Sequence, residues 1–131
     1  MRQQYHSRMV DGRRYIWDVN RLVEMTRDFP VQNVLLSDVE DLDEDYWYDE
    51  NSPAPTPRSV SVHAMLISQC DFQHPIILDA QGRIMDGMHR CCRALIEKRK
   101  SIQAVRFEVN PEPHYIDVPF EDLPNDEPVT L

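Results

Sequence analysis

The residues in this sequence best suited to chemistry are Asp86, Gly87, His89 and Arg90, which lie within one five-residue stretch between an aliphatic run and an amphipathic one. A helix beginning just after Gly87 would present unsatisfied backbone N–H groups and the positive end of its dipole, the usual setting for a bound phosphate. Gly87 lets the chain turn sharply and lets a ligand approach the backbone. Arg90 can grip a phosphate through two parallel hydrogen bonds, and Asp86 is placed to orient His89 or a metal-bound water. The plainer alternative is that Asp86 caps the helix while His89 and Arg90 face solvent. On residue types alone that alternative carries more weight, because one glycine turn falls well short of a glycine-rich phosphate fingerprint.

The elements that must position this turn can be read on both sides of it. Ile76-Ile77-Leu78 and Arg83-Ile84-Met85 are predicted strands of a hairpin, joined by the turn residues Asp79-Ala80-Gln81-Gly82. From Met88 onward, Met88, Cys91, Cys92, Leu95 and Ile96 fall on one stripe of a helix that should end near Lys98-Arg99-Lys100. His89 and Arg90 would then lie on its polar side. Val105, Phe107 and Val109 alternate with Ala104, Arg106 and Glu108, the period of a half-buried strand.

Upstream, Met1–Val10 reads as a polar arm. Asp18 is expected to cap a helix to Arg27, and Val31–Leu36 is a predicted strand. The acidic run from Asp38 to Glu50, with Tyr46, Trp47 and Tyr48 inside it, and the proline-rich segment that follows are expected to form a surface loop. Such a loop offers oxygen ligands for Mg²⁺ or a docking surface for a protein partner, although a plain solvated loop pinned by its aromatics is the simpler reading. Ser59 should cap a second helix, Val60–Gln69, that buries Val62, Met65 and Leu66 and carries His63 as an ordinary histidine. Beyond Asn110-Pro111, recurring prolines suggest an acidic tail that wraps over the surface or stays loose.

Composition narrows the class. The 131 residues fit one domain with one core, and a net charge of -9 opposes the phosphate attraction behind most duplex binding, so direct DNA binding is disfavoured. Three cysteines, two adjacent, form no bridge framework. With no apolar leader at the start and no membrane-length apolar run, a cytoplasmic protein with reduced thiols is expected.

Pro75-Ile76-Ile77-Leu78, then Gly82-Arg83-Ile84-Met85-Asp86-Gly87-Met88-His89-Arg90 and Ala94, resembles the core signature of the ParB/sulfiredoxin superfamily, to which bacterial chromosome-partitioning ParB belongs. Pro57-Arg58 followed by a helix and Pro75-Ile76 resembles the first ParB box, with a shorter interval. The resemblance implies a small α+β fold, a mixed sheet with packed helices, over a core of about residues 31–109. It also implies a nucleotide site: ParB binds CTP and sulfiredoxin ATP at this turn, and related free-serine kinases carry a similar Asp-Gly-x-His-Arg motif. Carried over by position, Gly87, His89 and Arg90 would contact phosphate, with Arg58 as a further phosphate or ribose contact.

The branches differ in chemistry. Sulfiredoxin needs a cysteine where this chain has Met88, and Cys91 and Cys92 read as packing thiols. ParB proper has Gly-Glu-Arg-Arg and a helix-turn-helix reader, which these residues lack. The kinase-like branch matches best and would require a carboxylate base, with Glu40, Asp41 and Glu44 as candidates and Asp86 and His89 as assisting groups. The expectation is a nucleotide-binding domain taking ATP or CTP with Mg²⁺, acting in phosphoryl transfer or hydrolysis. The alternative is a non-catalytic sensing or protein-interaction module that docks through Tyr46, Trp47 and Tyr48. A ParB-like nuclease is weaker still, for want of cationic surface.

Overall fold

The chain runs β1 (Tyr5–Val10), β2 (Arg13–Asp18), α1 (Val19–Met25), β3 (Gln32–Leu35), α2 (Pro57–Gln69), β4 (Ile76–Leu78), β5 (Ile84–Asp86), α3 (Met88–Ile96), β6 (Ser101–Arg106) and β7 (Tyr115–Ile116), in a computed structural model. Residues 3–48 and 54–124 are described. Met1 and Arg2 of the predicted arm, Asp49 to Pro53 of the predicted loop, and the tail from residue 125 lie outside them.

The fold is α+β with two sheets. A four-stranded sheet in the order β3-β6-β4-β5 is mixed: β4 and β6 run parallel, and the other pairs antiparallel. The predicted β4–β5 hairpin is present, one residue later on its return strand. Alternation along the strands builds two cores. Ile76, Leu78, Ile84 and Ala104 face α3 and the segment after β3, whereas Ile77, Met85 and Val105 face Trp17, Leu22 and Phe107. Each well-buried aliphatic side chain contributes about 1.5–3 kcal/mol by transfer from water.

The N-terminal segment is not a polar arm. It forms the β1–β2 hairpin, closed by Asp11 at φ 50° and Gly12 at φ 79°, the two left-handed positions of the turn best matched to strand twist. β7 adds to β2, and Trp17 Nε1 donates to the Pro111 carbonyl at 3.0 Å. The tail therefore wraps over this sheet as far as the buried Leu123.

Other boundaries move for local reasons. Asp18 caps α1 by accepting from Asn20 N–H, as expected. Thr56, not Ser59, caps α2: the Thr56 hydroxyl accepts from Ser59 N–H and the Ser59 hydroxyl accepts from Thr56 N–H, each at 3.1 Å, and Pro57 and Arg58 enter the first turn. None of the α2 residues is fully buried, so its apolar side is half-covered rather than core. On α3 the buried positions are Met88, Cys91 and Ala94, while Leu95 and Ile96 are exposed. The helix ends earlier than expected because Lys98 is left-handed at φ 61° and Arg99 N–H reaches back to the Ala94 carbonyl at 2.9 Å. β6 is central and buried on both sides through Ile102, Ala104 and Val105, which displaces the simple alternation; Val109 lies past its end and is exposed.

Candidate functional site

β5 ends at Asp86 opposite Ile77, and α3 begins after one residue, Gly87. Gly87 has φ 114°, and a Cβ there would sit 2.4 Å from Ile76 Cγ2, so conformation and space both demand glycine. No side chain caps the start of α3. Met88 points into the core.

The neighbouring side chains are neither capping nor solvent-facing. Asp86 lies in the strand and its carboxylate accepts from Arg90 Nη2 at 2.8 Å, so it is engaged with the arginine of this turn. Arg90 Nη1 donates to the carbonyls of Pro75, at 3.0 Å, and His74. Both side chains of the pair are 14% exposed. Arg90 thus ties the first turn of α3 to the start of β4.

His89 Nε2 lies 2.9 Å from His63 Nδ1 on α2. The Trp47 ring stacks on both imidazoles, with centroids 4.0 Å from His63 and 4.9 Å from His89. Burial pulls the His63 pKa below its ordinary value. Tyr48 Oη meets Ser59 Oγ at 3.0 Å, and Tyr46, its phenol pushed up by burial, reaches the Ile84 carbonyl at 3.5 Å. The three aromatics expected as a docking surface are half-buried and bind their own loop to α2, α3 and β5.

The loop carboxylates gather around one cation. Arg83 Nη1 donates to Asp41 Oδ1 at 2.8 Å and Glu44 Oε2 at 2.7 Å, and Nη2 lies 3.4 Å from Glu40 Oε2. These hydrogen bonds raise the Arg83 pKa further. The second Asp41 oxygen accepts from Ile84 N–H at 2.7 Å, so Asp41 is committed to holding the loop, while Glu44 remains half-exposed. Among the described residues, no three His, Cys, Asp or Glu side chains group so as to hold a metal ion.

Together these elements enclose a cleft of about 1120 Å³. One wall is the β1 face of His6 and Arg8, another carries Glu44 and Trp47, a third His63 and Leu66 of α2, and the floor is Asp86-Gly87-Met88-His89. Arg58 is exposed on α2 and does not line it. Sequence reading missed Arg8 and Arg83, which the folded hairpins bring to the cleft, and gave His63 no role. The adjacent Asp11-Gly12 turn signal could have revealed the β1 wall.

Cys91 is buried with its thiol pushed up to about 12, and burial also raises Cys92, consistent with packing thiols. Among the described residues no helix is long and apolar enough to cross a membrane. No family model matches the chain, and no curated protein or solved structure is significantly similar to it.

Proposed function

We propose that this chain is a nucleotide-binding domain of the ParB/sulfiredoxin kind, acting in the cytoplasm, that seats the phosphates of ATP or CTP with Mg²⁺ against the turn from Gly87 to His89. The observation that carries the reading is the left-handed Gly87 with no room for a side chain, at the uncapped start of the nine-residue α3 on the floor of the large cleft. Backbone N–H groups and the helix dipole supply the phosphate contact there. Arg90 serves as the brace that holds this turn in register rather than as a phosphate ligand. With no grouped carboxylate cage among the described residues, Mg²⁺ arrives on the phosphates, as it commonly does.

Phosphoryl transfer or hydrolysis is a second reading. It is favoured by the presence in the same cleft of a half-exposed carboxylate, Glu44, and the His63–His89 pair, groups able to accept a hydroxyl or water proton. The non-catalytic module is the same site without that step.

Calorimetric titration of the protein with ATP, CTP and ADP plus Mg²⁺, with phosphate release followed in the same samples, separates these. Saturable binding with release supports an enzyme, and binding without release supports a sensing module. The absence of binding by any of the three nucleotides refutes the proposal.

A further inference from the structure

Arg8 on β1 has an unusual setting for a surface arginine. Its Nη1 donates to Asp79 Oδ2 at 2.6 Å, and Asp79 is the residue just past β4, with a side chain only 1% exposed. The other Asp79 oxygen accepts from the backbone N–H groups of Gln81 and Arg83, both at 2.9 Å, so this carboxylate is fixed from three directions. The Arg8 guanidinium also lies 5.9 Å above the Trp17 ring. It is therefore aimed by a rigid support while remaining about a third exposed, on the cleft wall. A guanidinium has five N–H donors, and among the described residues Arg8 uses one.

Position along the sheet defines what this arginine can reach. Asp86 pairs with Ile77, which places Gly87 beside Ile76, three residues from Asp79 along β4. At strand rise that is about 10 Å. A single phosphate at the α3 start would not extend to Arg8, whereas a chain of two or three phosphoryl groups covers part of the distance and the arginine side chain the rest. Of the other cations on the cleft, Arg90 is held by Asp86 and the His74 and Pro75 carbonyls, and Arg83 is surrounded by Glu40, Asp41 and Glu44 and has no net positive field to offer.

Resting on the nucleotide reading above, we infer that Arg8 clamps the distal phosphate, and so selects nucleoside di- and triphosphates over monophosphates. The β1–β2 hairpin is then half of the binding site.

The test is calorimetry of the full chain with ATP, ADP and AMP plus Mg²⁺, for wild type, Arg8→Gln and Arg8→Lys, with thermal unfolding of each. The expected result is that wild type prefers ATP and ADP to AMP by about tenfold or more, the value of one charge-assisted contact. Arg8→Gln should lose that preference while its AMP affinity is unchanged, and Arg8→Lys should recover part of it. An Arg8→Gln protein that keeps the preference, or that weakens ATP and AMP equally, overturns the role of Arg8 and leaves the nucleotide site standing. A wild type that binds none of the three overturns both.

Discussion

Arg90 and Asp86 face each other at 2.8 Å across the first turn of α3, and the same guanidinium holds the carbonyls of His74 and Pro75. One side chain thereby fixes the spacing between the start of β4 and the start of α3, on either side of Gly87. Arg90 is structural in its contacts: it holds the backbone on both sides of Gly87.

Replacing Arg90 with alanine leaves Asp86 and two carbonyls without their donor in a largely buried setting. Removing one partner of such a pair costs about 3 kcal/mol. Urea unfolding should show a lower midpoint for Arg90→Ala, with Arg90→Lys intermediate. A midpoint equal to wild type would show that the brace contributes nothing.

Gly87→Ala places a methyl group against Ile76 and forces a left-handed backbone on an L-residue. The expected loss is about 2–4 kcal/mol. In an Ile76→Ala background, where the obstructing Cγ2 is gone, the same Gly87→Ala change should cost less than it does in wild type. An equal cost in the two backgrounds would place it elsewhere.

Acid should weaken the fold through His6. Stacked on Trp17 with centroids 5.6 Å apart, it is pulled by burial, assisted by Arg8, from 6.5 to about 4. On acidification the unfolded chain takes up this proton first. The stability from a neutral His6 is thus complete above pH 6.5 and is lost as pH falls toward 4, at up to about 1.4 kcal/mol per pH unit. His63 and His114, also lowered by burial, act in the same direction. His6→Phe keeps a ring on Trp17 and should flatten the stability profile between those limits. An unchanged slope would remove His6 from the acid response.

Lys98 holds the left-handed position that closes α3, with its N–H on the Leu95 carbonyl at 3.0 Å. Glycine is free of the Cβ penalty there, so Lys98→Gly should stabilise the protein by about 1 kcal/mol. Thermal unfolding reads this directly, and a lower Tm would contradict it.

The middle of the chain was the most legible. Continuous aliphatic runs around Asp79–Gly82 specify a hairpin locally, and the stripe after Gly87 specifies a helix, so β4, β5 and α3 followed from short-range pattern. The β1–β2 hairpin was hidden because Ser7, Arg8, Arg13 and Arg14 give it a polar composition that masked the Asp11-Gly12 turn. The burial pattern of β6 depends on its having neighbours on both sides, which no local period encodes. The site divided in the same way. Asp86, Gly87 and His89 line the cleft, but the hold of Arg90 on the His74 and Pro75 carbonyls, the grip of the loop carboxylates on Arg83, and the meeting of His63 with His89 are contacts between distant segments. Arg8 and Asp79, separated by 71 positions, are the extreme case.

Amide chemical shifts during titration with ATP and Mg²⁺ would report phosphate meeting the backbone at the start of α3. With the nucleotide seated there, the N–H resonances of Gly87, Met88 and His89 should move most and saturate together. Saturable binding that leaves these three amides unmoved, with the shifts concentrated elsewhere, would contradict it.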